Sequence, residues 1–318
     1  MERPLSILAI DIGGTKTIVG VADAAGNVIT YKRIETPGAF GPDRVLADTK
    51  ALAHEIIGEA RVEIDSIGIG CGGPLDRDTG TLYTVPNLPG WEGVCLKKEF
   101  GDEFRAPVYV DNDATAATLG ELMFGAGRGY SNFVYMNCST GIGGGIVIDG
   151  KPYRGHNGNA GEFGHHKLTP EGPKCTCGDR GCLEAYSSGT SIAREAREGL
   201  PGAPDSLIWQ WISSADDVTA EMVAKATAQG DEFASRIWNE AVYMYGVGVA
   251  NIVNILNPEL VVLAGGVINA GELFFEPVRR VVSERAMKAL ADVVEIVPAE
   301  NGDLMGLMGA IALAIERA

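Results

Sequence analysis

The chain has 318 residues, 46% hydrophobic and 21% charged, an ordinary globular balance with room for two cored domains. Its 42 acidic against 26 basic residues give a net charge of −16, so the basic surface that displaces counterions from a nucleic acid is missing and DNA or RNA is not an expected partner. The apolar start is too short and wrongly flanked for a signal peptide, and the longest apolar tract, 242–267, is broken by Asn251, Asn254, Asn257, Pro258 and Glu259, so no membrane span is expected and the chain reads as cytosolic.

In chain order, residues 5–10 form an apolar run that meets Asp11. The turn Gly13-Gly14-Thr15-Lys16 follows, a strand resumes over 18–21, and 23–27 turns into a third strand. A helical period covers 43–59. Segments 66–70 and 107–110 read as buried strands ending in polar or Gly-rich loops, and 114–123 as a helix. From Phe133 the opening plan recurs: a strand over 133–138, the turn Ser139-Thr140-Gly141-Ile142-Gly143-Gly144-Gly145, a strand over 146–148 and a turn at 149–151. Helices over 219–256 end at Pro258, and a buried strand precedes Val267. Two similar α/β units facing each other leave a cleft lined by strand-end loops 11–17, 71–76, 111–113 and 139–145.

Two motif matches fail on context. Gly68, Gly70 and Gly73 fit a dinucleotide fingerprint, but Pro74 and Asp76 stand where its helix must begin. Residues 145–151 approach a Walker A loop, yet Pro152 replaces the hydroxyl that would reach magnesium, and the glycines bracket a hairpin.

The first Gly-rich turn exposes successive N–H groups, a hydroxyl and the Lys16 ammonium, a set suited to phosphate oxygens, and Asp11 beside it could hold a hydrated magnesium ion. Ser139, Thr140 and Gly141 offer the same equipment without the lysine. A pair of ordinary tight β-turns is the plainer explanation, and repetition of the motif favours the phosphate reading. Asp113 follows the strand that ends in Asp111 and Asn112 and opens a helix. Capping would explain it, as would orientation and deprotonation of an attacking hydroxyl in phosphoryl transfer.

Residues 157–184 contain Cys175, Cys177 and Cys182 spaced C-x-C-x4-C, with His165 or His166 about ten residues upstream of the first cysteine. These are four ligands of the kind tetrahedral zinc takes, in a closed and hence structural site. The other cysteines, Cys71, Cys95 and Cys138, lie far apart, so no disulfide framework is expected. Glu162 and Glu184 flank the ligands, and two rigidly held carboxylates suit a polyhydroxylated ligand.

Taken together, IDIGGTKT, the NDA at 112–114, STGIGGG, AGEFGH and CTCGDRGCLE, in this order and spacing, resemble the ROK family of sugar kinases over nearly the whole chain. The resemblance implies two actin-like (ribonuclease H-like) α/β domains, a small one of 1–112 plus about 303–318 and a large one of 113–302 carrying the zinc loop and the oligomer surface. It implies ATP-dependent phosphorylation of a hexose, glucose first, with N-acetylglucosamine, N-acetylmannosamine and other hexoses as alternatives, by a homodimer or homotetramer. It also implies Asp113 as the base on the 6-hydroxyl, Asn112, Glu162, His165 and Glu184 on the other hydroxyls, and His165, Cys175, Cys177 and Cys182 on zinc. Gly72 and Asn87 match positions that close over the sugar; Gly265, Gly266 and Gly306 match the adenosine pocket. The sequence departs from the family pattern at Cys138-Ser139, where Gly-Thr is more usual, and at Cys71-Gly72-Gly73-Pro74, where Pro-Gly-Pro is more usual. The same family contains sugar-sensing repressors, which carry a winged-helix segment before the first phosphate turn. Ten residues precede Asp11 here, so a kinase is expected instead.

Overall fold

A computed structural model describes residues 5–36, 41–83, 85 and 88–317. Asn87 lies outside the described residues. The chain opens as a meander of β1 (Ser6–Ile12), β2 (Lys16–Asp23) and β3 (Val28–Glu35), followed by α1 (Gly41–Ala60). Next come β4 (Ser66–Cys71), the short hairpin β5 (Leu75–Asp76) and β6 (Thr81–Leu82), α2 (Leu96–Phe104), β7 (Val108–Asn112) and α3 (Asp113–Phe124). A second meander consists of β8 (Phe133–Cys138), β9 (Ile142–Ile148) and β10 (Lys151–Tyr153). Helices α4 (Leu183–Ser187), α5 (Gly189–Gly199), α6 (Ala220–Ala228) and α7 (Glu232–Leu256) precede β11 (Leu260–Ala264). The chain finishes with α8 (Glu272–Arg285), α9 (Lys288–Ala291), β12 (Glu295–Pro298) and α10 (Met305–Arg317).

The expected repetition is present. One sheet has the order β3-β2-β1-β4-β7 and the other β10-β9-β8-β11-β12, each an antiparallel meander extended by later strands. β1, β4 and β7 pair in parallel, as do β11 and β12. The rejected motifs also read correctly: no helix follows Gly73, and 145–151 is the β9–β10 hairpin, whose Asp149 and Gly150 take the positive φ angles of 51° and 72° that a two-residue turn needs. The Gly-rich turns are shorter than expected. Lys16 already begins β2 and Ile142 begins β9.

Contacts group Met1–Tyr135, Gly145–Gly161 and Ala299–Ala318 into one compact unit, and Met136–Gly144 with Glu162–Pro298 into the other. The first unit thus extends past the boundary expected at residue 112, because α3 is fastened to α10. At their crossing a Cβ on Gly309 would lie 2.4 Å from the Ala116 carbonyl carbon, and one on Gly120 2.8 Å from Gly309 N, so the two backbones touch. The first sheet is covered on both faces. Leu8, Ile10, Val19 and Ile69 pack with Val45, Leu52 and Ile56 of α1, while Ile7, Ala9 and Ile18 pack with Leu307, Ala310 and Ile311 of α10. This explains why β1 and β4 read as continuous apolar runs. Gly68 belongs to the α10 face, where an added Cβ would stand 1.8 Å from Ala310 O.

Two glycine substitutions should separate these roles. Gly68→Ala forces backbone apart and is expected to cost at least about 2 kcal/mol. Gly58→Ala, in the interior of α1 with nothing within 4 Å of the new methyl, should stabilise by about 0.5–1 kcal/mol. Urea midpoints of the two variants check this, and equal midpoints would refute the packing account.

Candidate active site

The first unit gathers its chemistry at the carboxyl ends of parallel strands. In register, Asp11 of β1, Gly70 of β4 and Asp111 of β7 form one row, and Ile12, Cys71 and Asn112 the next. Gly70 carries no side chain. A Cβ there would be 3.5 Å from Ala116 Cβ, 3.8 Å from Asp113 Cα and 3.9 Å from Asp11 Oδ1, ordinary contact distances that mark where α3 brings Asp113 up to the end of β4, near Asp11. Burial, then the neighbouring Asp113 charge, pushes the Asp11 carboxyl up to about 7, with Lys16 opposing. Burial also raises Asp113, against the backbone N–H of Ala114, which its Oδ1 accepts at 2.8 Å.

Capping falls to the neighbouring residue. Asn112 Oδ1 accepts the N–H groups of Ala114 at 2.9 Å and Thr115 at 3.3 Å. Its Nδ2 stands 2.7 Å from where a Gly73 side chain would begin. The turn before Lys16 is held by the Gly13 N–H on Lys16 O at 3.0 Å and the Thr36 N–H on Thr15 O at 2.9 Å, and Thr15 and Lys16 are exposed.

Two expected positions have other surroundings. Asp111 is buried in an ion network in which Arg154 Nε and Arg77 Nε reach its Oδ2 at 2.8 and 3.1 Å, and both guanidiniums also reach Glu316. It therefore anchors β7 instead of lining a site. Gly306 stands against Asp11, whose Oδ2 lies 2.1 Å from the position its Cβ would take, so this glycine gives Asp11 clearance from α10.

In the second unit, a cavity of about 570 Å³ has Ser139, Thr140 and Gly266 among its lining residues, while Gly141 and Gly265, expected beside them, do not line it. Sequence reading missed its other walls: Gly189, Thr190 and Arg197 on α5, Thr219 and Glu221 at the start of α6, and Trp238 on α7. The available signal was Ser188 before a helical period, a helix cap whose hydroxyl accepts the Ser191 N–H. Gly265 has φ +99° and packs on Asn137 and Cys138, placing Gly266 at the wall. Gly143, Gly144 and Gly145 belong to β9; a Cβ on Gly145 would lie 2.1 Å from Thr118 Oγ1, so that glycine serves packing.

The cysteine loop settles the choice between histidines. His165 Nδ1 is 3.6 Å from Cys175 Sγ, Cys177 Sγ is 3.6 Å from Cys182 Sγ, and the four ligand atoms all lie within 4.8 Å of one another. Metal–ligand bonds of about 2.0–2.3 Å in a tetrahedron place ligand atoms roughly 3.5–3.8 Å apart, so the set fits such an ion. His166 turns away, its Nδ1 on Phe163 O at 2.5 Å. Lys167 Nζ sits 2.8 Å from Cys182 Sγ, a cation beside a cluster rich in thiols. Glu162 is exposed just before the 3₁₀ turn Phe163–His165. Glu184 accepts the Ile142 N–H at 2.8 Å and the Thr176 hydroxyl at 3.0 Å, while Arg180 donates to Gly172 O.

The ROK family model matches residues 7–317. The chain belongs to the ROK family. Among relatives, a glucokinase of Thermotoga maritima is 36% identical, with 98% of each chain covered. A xylose repressor of Caldicellulosiruptor bescii is 31% identical over 98% of this chain and 78% of its own length. The crystal structure of a ROK family glucokinase from Streptomyces griseus in complex with glucose and AMPPNP superposes with a TM-score of 0.86 at 31% identity, covering 98% of this chain and 99% of that one. The architecture is thus the α/β ROK sugar-kinase fold. Among the described residues of this ROK chain, no helix is long and apolar enough to cross a membrane.

The raised Asp11 has a consequence for stability. With an ordinary value of 3.8 unfolded and about 7 folded, the folded state holds the extra proton between these limits, so its contribution is favourable at low pH and is lost as pH rises through about 7. Asp11→Asn, measured without divalent cations, should raise the thermal midpoint by a few degrees at pH 8 and by less at pH 5. An equal shift at both values would refute the burial account.

Proposed function

We propose that the protein is an ATP-dependent glucokinase, transferring the γ-phosphoryl group of ATP to the 6-hydroxyl of glucose. The observation that carries this reading is the half-buried Asp113 carboxyl at the strand ends of a chain aligned with a glucokinase over 98% of both lengths. Asp113 receives the hydroxyl proton. Because the hydroxyl is a far weaker acid than the carboxyl, orientation of the attacking oxygen is its main service.

Asn112, Glu162, His165 and Glu184 take the other sugar hydroxyls, and Gly72 and Asn87 close over the ring. With its Nδ1 turned to the cysteines, His165 presents Nε2–H to the sugar. Gly13, Gly14, Thr15 and Lys16 in the first unit, and Ser139, Thr140 and Gly141 in the second, receive phosphate oxygens through N–H, hydroxyl and ammonium groups. Gly265 and Gly266 border the nucleoside. Asp11 would hold a hydrated magnesium ion, which would supply positive charge to the transferring phosphate group. His165, Cys175, Cys177 and Cys182 would hold zinc, which braces the loop and leaves no open position for water. The same reading makes the protein a cytoplasmic homodimer or homotetramer with glucose and ATP as its partners.

A coupled ADP-release assay across a hexose panel tests the activity, with glucose expected to give the highest kcat/KM. Asp113→Asn should retain sugar binding and lose roughly 10²-fold to 10⁴-fold in kcat; turnover within a few-fold of wild type would return Asp113 to a structural role.

Metal analysis of protein purified without chelators should find about one zinc per chain. Cys177→Ser should lower metal content, thermal midpoint and sugar affinity together. Zinc-free protein with full sugar affinity would overturn the bracing role.

A further inference from the structure

The carboxylate of Glu184 lies between two segments with different duties. Its Oε2 accepts the N–H of Ile142, the residue that leaves the turn of Ser139, Thr140 and Gly141, and its Oε1 accepts the hydroxyl of Thr176. Gly141 makes the approach possible, since a Cβ there would be 2.6 Å from Oε2. The other side of that turn rests on residues just beyond Glu184. Gly189 N–H donates to Ser139 O at 2.7 Å and Thr190 N–H to Thr140 O at 3.4 Å, while Glu184 O accepts from the Ser188 N–H and the Ser191 hydroxyl. Besides its internal Ser139 to Gly141 bond at 2.9 Å, the turn is thus held by hydrogen bonds from 184–191.

Thr176 stands between Cys175 and Cys177, so its place depends on the ligand cluster. Its hydroxyl fixes one oxygen of Glu184 and thereby aims the other at Ile142. We infer that Thr176 is a positioning residue: through Glu184 it holds the Ser139–Thr140 wall of the nucleotide cavity in shape, so that the order of the cysteine loop is felt as nucleotide affinity. This rests on the nucleotide site of the reading above, and it makes Glu184 serve the donor side as well as the sugar. A carboxylate deprived of one strong donor gains rotational freedom, and the backbone N–H it was holding is released.

The test is Thr176→Val, which keeps the shape and removes the donor, beside Thr176→Ser, which restores it. Thr176 is exposed, so neither change disturbs a core. Each protein is loaded with zinc, its metal content verified, and AMPPNP titrated without sugar by calorimetry and by fluorescence of Trp238, which lines the cavity. Expected is a three-fold to ten-fold weaker AMPPNP affinity in Thr176→Val, recovery in Thr176→Ser, and weakening of the wild type on chelator treatment. Gly141→Ala, which pushes the carboxylate off Ile142 without touching the cysteine loop, should weaken AMPPNP to a similar degree at full metal content. Unchanged affinity in Thr176→Val, failure of serine to rescue, or an effect confined to the sugar KM would overturn the inference. Absence of glucose phosphorylation by wild type with AMPPNP binding intact would overturn the glucokinase reading and leave this one standing.

Discussion

Two carboxylates brought together where water is scarce set the terms for the first unit. The Asp113 charge adds to the cost of ionising the buried Asp11 carboxyl, and the fold keeps one crowding group away, since Gly306 puts no side chain against Asp11. A lysine at the end of the adjoining turn offsets part of the repulsion. Such an arrangement destabilises a resting protein and is useful only where cations and a hydroxyl group arrive to meet it.

Much of this was legible in the sequence because its signals are local. The repeated meander, the buried strands ending at Cys71 and Asn112, and the cysteine cluster all follow from short-range pattern; the strands expected over 5–10, 66–70, 107–110 and 133–138 lie within two residues of those found, whereas β5, β6, β10 and β12 were not read. What stayed hidden depended on which distant backbone lay against which. The glycines at 68 and 70 imitate a dinucleotide motif, yet the first is there because the Ala310 backbone occupies its space. Asp111 looked like a site residue from its neighbours alone. Only the fold brings Arg77, Arg154 and Glu316 to it. The walls of the cavity beside Ser139 and Thr140 come from α5, α6 and α7, helices whose amphipathic pattern says which face is inward but not what the outer rim encloses.

The cysteine loop shows a different economy. Its ligand atoms gather within a small sphere, and the residues threaded among them inherit that precision without touching a metal themselves. Thr176 and Glu184 are examples, and so is Lys167, whose ammonium lies against a cysteine sulfur. The loop thus fixes donors and acceptors to better tolerance than its Gly-rich sequence could sustain unaided.

Helix α10 covers one face of β1 and β4, yet it is made last. On the ribosome the first sheet can form its hairpins and take α1 onto one side early, but Ile7, Ala9 and Ile18 remain bare until residues 305–317 emerge. During that interval the second unit can complete its own core. The strands made first are therefore sealed on that face only by a segment made some three hundred residues later.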